Sequence, residues 1–330
     1  MESIMLMSEF VWRVCRSLLG LLVAVAAMAA CSADVDPNPS PAANGAPARG
    51  PEHEPVLDPQ TVALADPHAA TSPLAGYRPG AAKDQIIDRA RELVGNACMR
   101  GFGFAPPAPG WAHVNFDFNA FSLWARYGIW DPIAAETGYL PPMSFDESKR
   151  YVPPFTGEAN QVYSGEVKEY NGRPVPAAGC SGEMTRTVMQ PTGARQDLAG
   201  FLGDLDEEAM RRSAQDSRVV PLVAAWRDCM KQHGWDYEDP MAPFSYWNQP
   251  PRRGADKYVK AGDISTEEKA SARDDLGCKR STMLLGTWLA ADVAYQHLIV
   301  ERESERLREY SQYMDKVLAN ANRIITEGVR

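Results

Sequence analysis

Positive charge is in short supply in this chain. Lys and Arg number 34 against 43 Asp and Glu, a formal net charge of −9 over 330 residues. Residues 1–30 hold two acids (Glu2, Glu9) and two bases (Arg13, Arg16), so the remainder keeps the whole −9. No basic stripe survives, which excludes nucleic acid as the expected partner. Catalytic signatures are lacking as well: there is no nucleophile elbow, HExxH, Walker loop or dinucleotide fingerprint, and Gly101-Phe102-Gly103 is a lone GxG. Cysteine is scarce, at 6 residues, and never in CxxC spacing, which argues against a zinc site built from the thiols. His53 and His68 lie in a proline-rich stretch. His113, His233 and His297 sit singly and read as capping or packing residues. No cofactor and no metal is expected.

Carboxylates are plentiful. Asp204, Asp206, Glu207 and Glu208 cluster, which fits the acidic start of a helix better than a glycosidase-like pair. A calcium loop is hinted at by Asn115-Phe-Asp-Phe-Asn119. It has Ala120 where glycine belongs and Arg126 where the bidentate glutamate belongs, so calcium is not expected there.

Long hydrophobic runs are also rare. Ser17 to Ala30 is apolar and uncharged, with Arg13 and Arg16 just ahead of it. It is too short for a comfortable span and has the shape of a secretory signal. Its end, Met28-Ala29-Ala30-Cys31, resembles the bacterial lipobox. Residues 1–30 are therefore expected to be a lipoprotein signal peptide and Cys31 the lipidated residue. The acyl chains would anchor the protein to the outer face of the cell membrane. The alternative is ordinary cleavage after Ala30 with Cys31 left as a free thiol.

Residues 32–80 contain ten prolines and few large apolar side chains. The expectation for 31–80 is a disordered tether that starts at the lipidated cysteine. The rest divides into a first helical half, 81–205, and a second, 206–330, with a long C-terminal helix. The predicted class is mainly α, a disulfide-stapled helical domain of two related halves.

The pairing is read from an internal similarity. Cys98-Met-Arg-Gly-Phe-Gly-Phe104 lines up with Cys229-Met-Lys-Gln-His-Gly-Trp235, each ending a predicted helix: Asp84–Phe102, and about 207–233 with an interruption before Pro221. Gly103 and Gly234 suit the left-handed position after a helix, with an aromatic folding back. Gly179-Cys180 and Gly277-Cys278 rhyme more weakly. Cys98–Cys180 and Cys229–Cys278 is the preferred one of the three connectivities that four cysteines allow in an exported chain.

Ser265-Thr-Glu-Glu268 is a capping box, and from there to about Glu327 the chain has no proline, so a continuous helix is predicted. Leu307, Tyr310, Met314, Val317, Ala321 and Ile324 alternate at steps of three and four. This seam either folds back on the domain or faces a partner. The charged run 301–309 reads as a solvated face. Seven aromatics crowd 111–130. Trp111, Phe116, Trp124 and Trp130 could form a shelf for sugar or lipid, or, as the preferred reading, fill the core. Asp131-Pro132 starts a short helix ending near Gly138, and 236–258 reads as an ordered loop.

Several phrases together resemble a group of uncharacterised actinobacterial secreted proteins and lipoproteins: Ala97-Cys-Met-Arg100, Arg126-Tyr-Gly-Ile129, Thr137-Gly-Tyr139, Gly179-Cys-Ser-Gly-Glu183, Trp226-Arg-Asp-Cys-Met230 and Asp275-Leu-Gly-Cys-Lys279. The resemblance covers most of 84–325 and brings no catalytic residues with it. It implies an envelope accessory lipoprotein beside an export-type ABC transporter and peptidoglycan-binding adaptors. The expected function is a non-enzymatic binding or accessory role at the cell envelope. The alternatives are a solute-binding lipoprotein of an importer, which needs two α/β lobes, and an envelope glycan or peptidoglycan hydrolase.

Overall fold

A computed structural model describes residues 54–64, 70, 72–107, 126–130, 137–140, 155–191, 193, 195–249 and 264–329. They form a mainly helical body. In chain order it comprises α1 (Pro59–Val62), a 3-10 turn (Pro73–Tyr77), α2 (Ala81–Gly101), α3 (Gly157–Ser164), β1 (Glu169–Tyr170), β2 (Arg173–Pro174) and α4 (Gly179–Met189). There follow a 3-10 turn (Gln196–Leu198), α5 (Phe201–Ala214), α6 (Val220–Gln232), α7 (Ala242–Asn248), α8 (Thr266–Ser281), α9 (Leu284–Arg302) and α10 (Ser304–Glu327). The two strands make a small antiparallel ribbon with Glu169 opposite Pro174. Among the described residues no single helix is long and apolar enough to cross a membrane.

The helix ends follow local chemistry. At the end of α2 the amide of Phe104 donates to Met99 O at 3.0 Å and that of Gly103 to Arg100 O at 3.0 Å. At the end of α6 Trp235 N reaches Met230 O and Gly234 N reaches Lys231 O, again at 3.0 Å. Gly103 and Gly234 both have φ +88°. This is the Schellman arrangement that the two CMxxxG phrases predict, and only glycine takes that φ without strain. Both predicted bridges are present. Cys98–Cys180 and Cys229–Cys278 each have a Cα–Cα distance of 5.7 Å. The halves are not strict copies, because Cys180 opens α4 whereas Cys278 lies in the last turns of α8.

The largest apolar cluster joins α2, α4, α5, the end of α9 and α10 through Ile87, Val94, Val188, Phe201, Leu205, Ile299, Leu307, Val317 and Ile324. A second gathers Tyr127, Trp130, Trp226, Met230, Leu284, Trp288 and Leu289 around the start of α9. A third, small cluster surrounds the first disulfide with Met99, Phe155 and Val162.

Several expectations are corrected. The helix predicted around 207–233 starts earlier, at Phe201, while its expected interruption before Pro221 falls over 215–219, where Val219 and Val220 amides close back on Asp216 O. The stretch from 265 to 327 holds the expected long C-terminal helix as α10, of 24 residues, preceded by two shorter ones. It bends by 66° between α8 and α9, at Met283 with φ +58°, and turns again at Glu303. Thr282 Oγ1 donates to Cys278 O at 2.7 Å, a back-bond that competes with continuation of the helix. The predicted loop over 236–258 contains α7, and just ahead of it Asp239 Oδ1 accepts the Met241 and Ala242 amides.

The expected tether also ends sooner than residue 80. From Glu54 onward the described residues belong to the folded body: Leu74 is 0 % exposed in the main core, and Leu57 and Leu64 pack against the second cluster. Asp58 caps α1 by accepting from Gln60 and Thr61. The strand over 115–119, the calcium hint, His113 and the beginning of the helix at Asp131 lie outside the described residues.

Candidate functional site

Two networks of buried charge organise the interior. In the first, Arg126 is 7 % exposed and Asp292 3 %. Arg126 Nη1 donates to Asp292 Oδ2 at 2.6 Å, and its Nη2 pairs with the carboxylate of Asp206. Tyr127 Oη and Gln296 Nε2 also donate to Asp292 Oδ2, at 2.9 and 3.2 Å. Gln296 Oε1 in turn accepts from Ser72 Oγ and the Leu74 amide. Burial pulls the Arg126 guanidinium down, but Asp292 and Asp206 outweigh it and hold it above its ordinary value. Burial pushes the Asp292 carboxyl up against the pull of Arg126. An arginine that keeps its proton is the residue to hold such a pair.

In the second network Asp275 accepts from Trp226 Nε1 at 2.9 Å and from Lys279 Nζ at 3.0 Å, and Lys279 Nζ also donates to Ile129 O at 3.1 Å. Burial pushes Asp275 up and Lys279 down, and each group's charge opposes that shift in the other. Ser271 Oγ lies 3.1 Å from Tyr139 Oη and 2.9 Å from Tyr237 Oη. Trp247 Nε1 donates to Tyr237 Oη. Lys279 is 1 % exposed and Asp275 0 %. Groups so enclosed do not meet a substrate; they clamp 126–130 and 137–140 onto α8 and α9. The capping box contributes here. Ser265 Oγ accepts the Glu268 amide as predicted, while Glu268 Oε1 accepts the amide of Tyr139.

The acidic cluster is corrected in the same terms. Only Asp204 lies in the first turn of α5. Asp206 pairs with Arg78 and Arg126, and Glu208 accepts both terminal nitrogens of Arg302, at 2.7 and 2.6 Å. These carboxylates join elements rather than complement a dipole. Arg302, from the run read as a solvated face, is part of that join, and Arg306 lies over the Phe201 ring at 4.2 Å.

Of the two readings of the α10 seam, folding back on the domain is the one the structure shows. Leu307 and Val317 are 0 % exposed and Tyr310 7 %, and Met314 packs against the same cluster. The seam is spent on the chain's own α2 and α4, with Tyr313 Oη bonded to Met189 O and Asn320 Nδ2 to Thr187 O. Trp130 is likewise core; Trp111, Phe116, Trp124 and Cys31 lie outside the described residues. Beside α10 a cleft of about 110 Å³ is lined by Tyr77, Arg78, Lys83, Ile87, Met314 and Asp315. It is well below the ~300 Å³ at which small-molecule sites begin.

The sequence reading missed Arg126, Asp292, Asp275 and Lys279 as structural charges. Asp292 had a usable signal, a lone carboxylate in the apolar run Leu284–Ala294. The chain is thus a mainly helical protein stapled by two disulfides. It matches no family model, no curated protein and no solved structure.

Proposed function

We propose that this protein is an exported lipoprotein, anchored through Cys31 to the outer face of the cell membrane, which acts by binding at the envelope beside an ABC transporter. The pairing of the cysteines carries the reading. Four of the six are closed in two bridges between helices, which suits an oxidising compartment outside the cytoplasm. The remaining two are Cys15, just before the apolar stretch, and Cys31, at its end. The resemblance to actinobacterial secreted proteins and lipoproteins points the same way. The buried charges favour binding over catalysis, since each of these acids is committed to an arginine, a lysine or a backbone amide.

The test has two stages. Mass spectrometry of the N-terminal peptide of the membrane-bound protein should find acyl chains on Cys31, and Cys31→Ser should release the protein from the membrane. Cross-linking of the anchored protein in its own membrane should then capture transporter or adaptor subunits. An unmodified Cys31 refutes the anchor; lipidated protein that captures no envelope protein refutes the accessory role.

A further inference from the structure

The geometry points to the Cys229–Cys278 bridge as the closed form of a three-ligand site for zinc(II), opened when a dithiol reduces it. One ligand atom each from Cys229, His233 and Cys278 lie within 4.8 Å of one another. Tetrahedral zinc with sulfur at about 2.3 Å and nitrogen at about 2.0 Å holds its ligand atoms roughly 3.5 Å apart. The Cα atoms of Cys229 and Cys278 stand 5.7 Å apart, and the released sulfurs have only to separate by a further ångström or two, about the scale of a side-chain rotation. Cys229 and His233 stand four residues apart at the end of α6, on one face. Cys278 is 1 % exposed, whereas the His233 side chain is 50 % exposed. The site therefore has a buried wall and an open side for entry, with its fourth position left to water. Asp274 Oδ1 lies 3.3 Å from His233 Nδ1, and Asp274 Oδ2 accepts from Trp235 Nε1 at 2.8 Å. A carboxylate held in this way orients the imidazole, as the partners of metal-bound histidines do.

The first half of the molecule supplies the control. Its Cys98–Cys180 bridge starts from the same CMxxxG helix end, with the same two closing hydrogen bonds. There Phe102 occupies the position that His233 occupies in the second half. The helix end forms equally well on either residue, so the terminus does not require an imidazole. Among the described residues, only the second bridge has a metal ligand beside it. The opening step balances: the dithiol gives two electrons and becomes a disulfide, Cys229 and Cys278 become thiols, and zinc displaces their two protons to solvent. This inference stands independently of the proposed lipidation.

Cobalt(II) reports on such a site because its thiolate complexes absorb. The full chain, reduced with a phosphine and freed of it without air, should take up one equivalent of Co²⁺ with thiolate-to-cobalt charge-transfer bands, and Zn²⁺ should displace it. The unreduced protein should show no such band. His233→Phe, which copies the first half, should weaken uptake by at least about tenfold while leaving the helical circular dichroism of the oxidised protein unchanged. Equal Co²⁺ affinity in His233→Phe, or no charge-transfer band in reduced wild type, would overturn the assignment. So would a reduced protein that loses its helical signal and does not recover it with zinc.

Discussion

Replacing Gly286 with alanine should loosen the N-terminal segment, although it puts the better helix former into a helix. Gly286 lies in α9, and a Cβ there would meet the Val62 carbonyl oxygen well inside contact distance, with the carbonyl carbon at 3.0 Å. Backbone, not a rotatable side chain, occupies the space. The exchange gains up to about 1 kcal/mol of helix propensity, against about 1–3 kcal/mol for forced overpacking. The net is a destabilisation of up to about 2 kcal/mol, or a fall in Tm of up to roughly 4–8 °C for a body of this size. Gly277→Ala in α8 is the matched control, because a Cβ there meets nothing within 4 Å, so the propensity gain should appear alone as a rise of about 1–3 °C. Thermal melts of both variants test the signs. Hydrogen exchange tests the location: in Gly286→Ala the amides of Val62 and Leu64, bonded to Asp58 O and Thr61 O, should exchange faster, while α10 keeps its protection. A Gly286→Ala protein with unchanged Tm and protected 62–64 amides would refute the close packing of α1 on α9.

Three further outcomes follow from the buried and bridged groups. Cys229→Ser should leave one free thiol, on Cys278, and cost about 4 kcal/mol on the chain-entropy model for a 49-residue separation; thiol titration and denaturant melts check both. Lys279→Met should cost about 3–5 kcal/mol by stranding the buried Asp275 carboxylate, and the double variant with Asp275→Leu should recover part of that in a double-mutant cycle. Asp216 should confer acid lability: burial pushes its carboxyl up, but Arg218 outweighs this and holds it below the ordinary range. A depressed folded pKa stabilises above the unfolded value of about 3.9 and is lost as pH falls through the folded one. The stability gap between wild type and Asp216→Asn should therefore be constant from pH 7 to about 5 and close below about 4. A gap that closes near neutrality would contradict the assignment.

What could be read from the sequence was what is decided within a few residues. The helix ends at Gly103 and Gly234 and the cap at Ser265 follow from local hydrogen bonds, and the repeated phrase around Cys98 and Cys229 was enough to choose the pairing. The breaks at Met283 and Glu303 were illegible because neither proline nor glycine stands at them; beyond the first, α9 packs on α5 and α1, contacts that no local pattern announces. Asp275 and Lys279, four residues apart on α8, look like a surface ion pair, and only the arrival of 126–130 and Trp226 buries them. Leu57, Leu64 and Leu74 are too sparse to form a periodic face, so their burial depends wholly on the shape of α5, α6 and α9. The α10 seam was legible as an apolar face, but its partner was not, since any apolar helix satisfies the same spacing.

The attachment of the N-terminal segment has a mechanical consequence. Glu54 accepts from the amide and hydroxyl of Ser217, each at 2.6 Å, and Arg218 Nη1 donates to Pro55 O at 2.7 Å. Arg218 is itself fixed by Asp216, at 2.6 Å. A pull from the N-terminal side is thus taken first by the turn between α5 and α6 and next by the Val62 contact on Gly286, before it can reach Leu74. Tension would peel the chain from the body in ordered steps. The earliest step would free Ser217 and Arg218 from Glu54 and Pro55 while both disulfides still hold the helices together.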